Sequence, residues 1–176
     1  MKRYLAFLAL IAFAGCADKD QPAGVAVATL ADRLNPTCYT VDLFDPFTLE
    51  KPAPDVPPET KAFLGVWKHG AWNGQWCHDL YVTRVGADGN VEVLDAYGPY
   101  SAAGIEATVF KRKGRIKDGV LTFHSQGGTV EYRLDGEYLV GTRKGTLGNM
   151  EITMSRQDDV AVGKPVKLAR HVVKKS

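Results

Sequence analysis

Residues 129–143 read TVEYRLDGEYLVGTR, and their pattern decides the fold class. Val130, Tyr132 and Leu134 alternate with Thr129, Glu131 and Arg133. In an extended chain successive side chains point to opposite faces, so this run has an apolar side and a polar side. Asp135-Gly136 interrupts it, and apolar residues resume from Tyr138 to Val140. Asp-Gly between two such runs is the strongest short hairpin signal, because both residues tolerate the positive φ of a tight turn. The same grammar recurs at Asp88-Gly89 and Asp118-Gly119.

Reading outward from these turns predicts strands near 63–69, 78–85, 91–97, 105–117, 120–125, 129–134, 137–143 and 149–156, and no helix. Leu80, Val82 and Arg84 are expected on one face of their strand, with Tyr81, Thr83 and Val85 on the other. Met150, Ile152 and Met154 oppose Glu151 and Thr153. Gly114 is expected to mark a bulge in the long fourth strand. Eight sequential strands joined by short turns imply an all-β, antiparallel up-and-down meander. Such a sheet escapes its edge problem by closing into a barrel.

The flanks have other tasks. MKRYLAFLALIAFAGC begins with Lys2 and Arg3, continues with an apolar stretch from Leu5 to Ala14, and ends at Gly15-Cys16. That stretch is too short for a spanning helix, which needs about 20 residues. Its three-part order is that of a secretory signal. Phe13-Ala14-Gly15-Cys16 resembles the lipobox of bacterial lipoproteins, with phenylalanine where leucine is usual. The resemblance implies a signal peptide over 1–15 and a lipid on Cys16, which becomes the new N-terminus. Ala17 in the next position implies sorting to the outer membrane, facing the periplasm. An ordinary signal peptide, or a buried apolar segment, is the alternative.

Without Lys2 and Arg3 the chain holds 20 basic and 20 acidic residues. A neutral body argues against nucleic acid, since phosphate backbones require concentrated positive charge. With Cys16 lipidated, Cys38 and Cys77 remain in an oxidising compartment, where two leftover thiols usually pair. Closing that loop would stabilise the fold by about 4 kcal/mol. Two buried free thiols are the alternative.

Residues 16–37 carry no periodicity and read as a tether. Residues 38–62 hold five of the nine prolines, between Pro46 and Pro58, which excludes a central strand. Tyr39, Val41, Leu43, Phe44 and Phe47 are too apolar for a free linker. This segment is therefore expected to be a proline-rich arm packed on the domain and pinned by Cys38–Cys77. Residues 63–156 form the domain, and 157–176 a basic tail that is either solvated or laid on anionic lipid.

Phe63-Leu64-Gly65-Val66-Trp67 resembles the Gly-x-Trp opening of the first strand in calycins, the lipocalin, avidin and fatty-acid-binding barrels. Those families often place a basic residue of the last strand over the tryptophan, and Arg156 is in position to do so. The resemblance implies a small calycin-like barrel over 63–156, closed by Gly65, Trp67 and Arg156. A guanidinium over an indole contributes about 0.5–2 kcal/mol. It also raises the prospect of ligand binding, although no C-terminal helix follows the barrel.

Candidate chemistry is sparse. Cys77-His78-Asp79 offers nucleophile, base and acid, but neighbours on a strand face opposite ways, so no dyad is expected. His69, His78, Asp79 and His124 match no recurrent metal spacing. No nucleophile elbow or phosphate loop is present. No catalytic residue, metal or cofactor is therefore assigned. Trp72, Trp76, Tyr97 and Tyr100 stand in or beside glycine-bearing loops, with Gly70 to Gln75 read as a turn. They either line an apolar or sugar-stacking mouth or plug the barrel end. Lys111 to Lys117 alternates and is expected to shed its charges to solvent on both faces.

The expected function is a non-enzymatic envelope lipoprotein that binds a small apolar or glycan ligand through its barrel. A structural or interaction module serving an envelope protein partner, without a pocket of its own, is the alternative. An enzyme acting on lipid or cell-wall substrates carries least weight.

Overall fold

The computed structural model describes residues 28–41, 46–125 and 127–166. The signal segment, Cys16, the first part of the tether and residues 167–176 of the tail lie outside the described residues. The strands are β1 (Phe47–Thr48), β2 (Gly65–Trp72), β3 (Trp76–Val85), β4 (Asn90–Tyr97), β5 (Thr108–Lys117), β6 (Val120–Ser125), β7 (Gly128–Asp135), β8 (Tyr138–Gly145), β9 (Gly148–Gln157) and β10 (Pro165–Val166). Strands β2 to β9 form a closed antiparallel barrel in sequence order. Closure comes from β9 returning to β2 through Val66–Gln157, Trp67–Arg156 and Lys68–Ser155.

A one-turn helix α1 (Pro58–Lys61) precedes β2, where no helix was expected. Proline at its first positions has its φ already set for a helix, and four residues are too few to give a periodic signal. The three Asp-Gly turns all lie at one end of the barrel. The other end carries the Asn73-Gly74 turn, the β6–β7 and β8–β9 turns and the long Gly98–Ala107 connection.

Three sequence expectations about the wall are corrected. Gly114 is not bulged: β4 and β5 stay in register from Asn90–Arg115 to Tyr97–Thr108. Its glycine serves close approach, since a Cβ there would stand 2.8 Å from the Thr122 carbonyl oxygen. The bulges occur instead between Trp67 and Gly70 in β2 and between Val82 and Arg84 in β3. The second reverses the face pattern. Val85 turns into the core, and Arg84 faces solvent with Glu50 at 3.5 Å and Glu92 at 3.3 Å. The expected Gly70–Gln75 turn is shorter, because β2 runs to Trp72 and Asn73 and Gly74, both at positive φ, make the turn.

The lumen is packed with Trp67, Leu80, Val82, Val91, Val93, Leu121, Phe123, Val130, Tyr132, Leu139, Ile152 and Met154. A second apolar cluster lies outside the wall, where Phe47 and Leu49 of the arm cover Val66, Tyr81 and Ala96. Phe47 meets Tyr81 edge to face at 5.0 Å. Cys38 and Cys77 form a disulfide with Cα atoms 5.3 Å apart. The tether is docked where it is described: Asn35 N–H donates to the His69 carbonyl at 2.7 Å. The start of the tail is also held, because β10 pairs with β1 through Phe47–Val166.

Candidate functional site

At the Asp-Gly end the barrel is closed by apolar packing and one cation. The Arg156 guanidinium lies 4.3 Å over the Trp67 ring and donates to the carbonyls of Leu64 and Ala62. Trp67 Nε1 donates to the Phe63 carbonyl at 3.0 Å. Gly65, at φ +148°, leaves room for this arrangement: a Cβ would stand 2.8 Å from an Arg156 terminal nitrogen.

The opposite half of the lumen is polar. His78, Asp95, Tyr97, Ser125, Tyr132 and Arg143 take inward positions on five strands, all of them buried. Asp95 is the hub. Its Oδ2 accepts from Arg112 Nε at 2.7 Å, Ser125 Oγ at 2.7 Å and Tyr97 Oη at 3.0 Å. His78 Nε2 shares a hydrogen bond with Tyr132 Oη at 2.9 Å and stands 3.6 Å from Asp95 Oδ1. Arg143 donates to the Ser125 carbonyl at 3.2 Å, and its guanidinium lies 5.2 Å from the Trp76 ring centre. Trp72 Nε1 and Asp95 Oδ1 are buried without a hydrogen bond.

Burial sets the protonation states. Desolvation pulls the His78 imidazole down to about 4, against the upward pull of the Asp95 carboxylate. Desolvation likewise raises the Tyr97 and Tyr132 phenols. All three are neutral near pH 7 and act as hydrogen-bonding groups. Asp79 sits on the outer face, where burial under the arm raises its carboxyl; Thr40 Oγ1 donates to it at 2.9 Å.

The four aromatics singled out in the sequence are brought together, but not as an open platform. Trp76 stacks with Tyr97 at 4.6 Å and with Tyr100 at 5.4 Å between ring centres. Trp72, which the sequence left either exposed or capping, lies against His78 and Tyr132. Trp72, Trp76 and Tyr97 are at most 1% exposed, and only Tyr100 reaches the surface in part. Within Cys77-His78-Asp79, the disulfide cysteine and Asp79 face outward and His78 faces inward, so the trio does not converge. Among the described residues no group of three His, Cys, Asp or Glu side chains could hold a metal ion.

The polar half opens sideways. Strands β5 and β6 pair only through Arg115–Thr122, Ile116–Leu121 and Lys117–Val120. Beyond that point the remaining residues of the two strands have no ladder to one another. A cleft of about 460 Å³ lies at this rim, lined by Arg112, His124, Ser125, Gly128, Thr129 and Lys144. Arg112 corrects the expectation for residues 111–117. Lys111, Lys113, Arg115 and Lys117 face solvent, but Arg112 turns inward to Asp95.

Sequence reasoning missed Asp95, Arg112, Ser125 and Arg143. A signal existed for Asp95, which alternation places on the same face as Val91, Val93 and Tyr97; a charge on an apolar row is a flag. No family model matches the chain, and neither a curated protein nor a solved structure matches it.

Proposed function

We propose that this chain is a non-enzymatic, lipid-anchored protein of the bacterial envelope that binds a small glycan-type ligand at the β5–β6 rim of its barrel. One observation carries the reading: the lumen is filled, while the Asp95–Arg112–Ser125 network opens to solvent through a side cleft. The Arg112 guanidinium offers donors that sugar hydroxyls can accept from, and the buried Asp95–Ser125 network behind it holds that group in one geometry. The packed lumen removes support for an apolar ligand inside the barrel. Trp72, Trp76 and Tyr97 then serve as the wall behind the site, with Tyr100 at its edge. The anchor rests on the lipobox-like Phe13-Ala14-Gly15-Cys16 and implies residence at the outer membrane, facing the periplasm.

A second reading, an interaction module for an envelope protein partner, draws on a different surface. A groove of about 760 Å³ runs between the arm and the outer face of β4 and β5, lined by Val41, Phe47, Leu94 and Val109. The two readings separate in a thermal-shift and native-mass panel of neutral saccharides, acidic saccharides and single-chain lipids. A saccharide at about 100 times its Kd would add about 2.7 kcal/mol of stability and raise Tm. No shift with any saccharide, or a shift with lipids alone, would overturn the glycan reading.

A further inference from the structure

We propose that the β5–β6 cleft is an anion-binding subsite that takes the phosphate or carboxylate of an acidic monosaccharide. This rests on the reading above, that the ligand enters at this rim, and adds the charge of what it carries.

The argument begins with Arg112. Its Nε is committed to Asp95 at 2.7 Å, and its guanidinium carbon lies 4.5 Å over the Phe110 ring. Those two contacts hold the guanidinium plane from one edge and one face. The two terminal nitrogens donate to no protein atom among the described residues, and the side chain is 22% exposed where it lines the cleft. A fork with its inner edge anchored and its outer edge free is the geometry that binds a carboxylate or phosphate through two parallel hydrogen bonds.

The rest of the lining agrees. Lys144 and Thr129 are register partners on β8 and β7, and Thr129 and His124 are partners on β7 and β6, so the three side chains form one row on the outer face of the wall, bordering the cleft. Thr129 Oγ1 and His124 Nδ1 share a hydrogen bond at 3.2 Å, which orients the imidazole. Lys144 is exposed and forms no ion pair with a described carboxylate. The Arg143 guanidinium lies behind Ser125, donating to its carbonyl. No acidic residue lines the cleft, and Asp95, behind it, is already engaged with Arg112, Ser125 and Tyr97. Positive charge therefore dominates an open rim, where the attraction of an anion weakens with added salt. A volume of about 460 Å³ lies within the range of small-ligand sites, about 300–1,000 Å³.

The test is isothermal titration of the full chain in non-ionic detergent with glucose, glucose 1-phosphate, glucuronate and inorganic phosphate. Glucose 1-phosphate or glucuronate should bind at least about tenfold more tightly than glucose, the value of one good charge-assisted contact. Inorganic phosphate should compete, and added KCl should weaken binding. Lys144→Gln, an exposed change that leaves Asp95 paired, should lower affinity for the acidic probe by about threefold or more. Arg112→Lys should lower it further, by keeping the charge and losing the fork; near-UV circular dichroism reports whether each variant is folded. The phosphate and carboxylate arms show which anion is preferred. Equal binding of glucose and its acidic counterparts would overturn the anion subsite and leave the glycan reading intact. Binding of none of the four would overturn both. Acidic probes that bind Lys144→Gln and Arg112→Lys as they bind the native chain would overturn the location.

Discussion

Asp95 stands between Val93 and Tyr97 on the inward row of β4 and accepts three hydrogen bonds on one oxygen. A carboxylate so placed is tolerable only with its partners, because removing one side of a buried ion pair leaves an uncompensated charge. His78, across the lumen, is the titratable member of the same cluster and faces Asp95, Arg143, Tyr97 and Tyr132. Its folded pKa, about 4, lies below the ordinary 6.5. Between those values the unfolded chain therefore binds more protons, and stability falls as pH drops through the window. The full shift corresponds to about 3 kcal/mol, reached near pH 4 and constant below it. Asp79, whose pKa is raised, shifts stability in the opposite direction at the acid end. Urea midpoints measured from pH 7 to pH 4.5 should decline for the native chain and much less for His78→Gln. Parallel curves would show that His78 does not titrate with unfolding.

At the level of elements, the strands were legible because their signals are local. Asp88-Gly89, Asp118-Gly119 and Asp135-Gly136 place three hairpins, and Asn73-Gly74, a signal of the same kind, places a fourth that is tighter than a Gly70–Gln75 turn. The bulges were not legible. A register defect is a relation between two strands, so alternation along one strand carries it forward as if the ladder were perfect. Alternation alone therefore puts Arg84 and Val85 on each other's faces. Gly114 shows the same limit in reverse: the glycine was visible, but its reason, the Thr122 carbonyl of the neighbouring strand, was not. Gly114→Val should drive that contact apart, lower stability by about 1–3 kcal/mol as an overpacked site does, and speed amide exchange at Ile116 and Leu121. An unchanged urea midpoint would refute the close-approach account.

For the whole molecule, the barrel is a scaffold with one apolar half and one polar half, clasped outside by an arm. The arm needs both its disulfide and its apolar side chains, since β1 and β10 are only two residues each and a lone short ladder is marginal in water. The proposed anchor belongs to this scale, because it determines which solvent and which ligands the rim meets. Cys16→Ala should leave an uncleaved precursor and shift the protein out of the detergent-extracted outer-membrane fraction in cell fractionation. Normal sorting of that variant would refute the lipid anchor.

The all-β meander, the number and positions of its barrel strands, and the residues available for closure can be read from the chain alone. Those properties follow from side-chain alternation and turn chemistry, which act over a few neighbouring residues. That Trp72, Trp76 and Tyr97 are wall rather than mouth, that Arg112 points in, and that Asp95 gathers Arg112 and Ser125 from two other strands emerges only once the barrel is assembled. Closing a barrel brings together inward positions far apart in the chain, and the end of the β5–β6 ladder is a relation between two strands that neither carries alone. The cleft lies beside that stopping point.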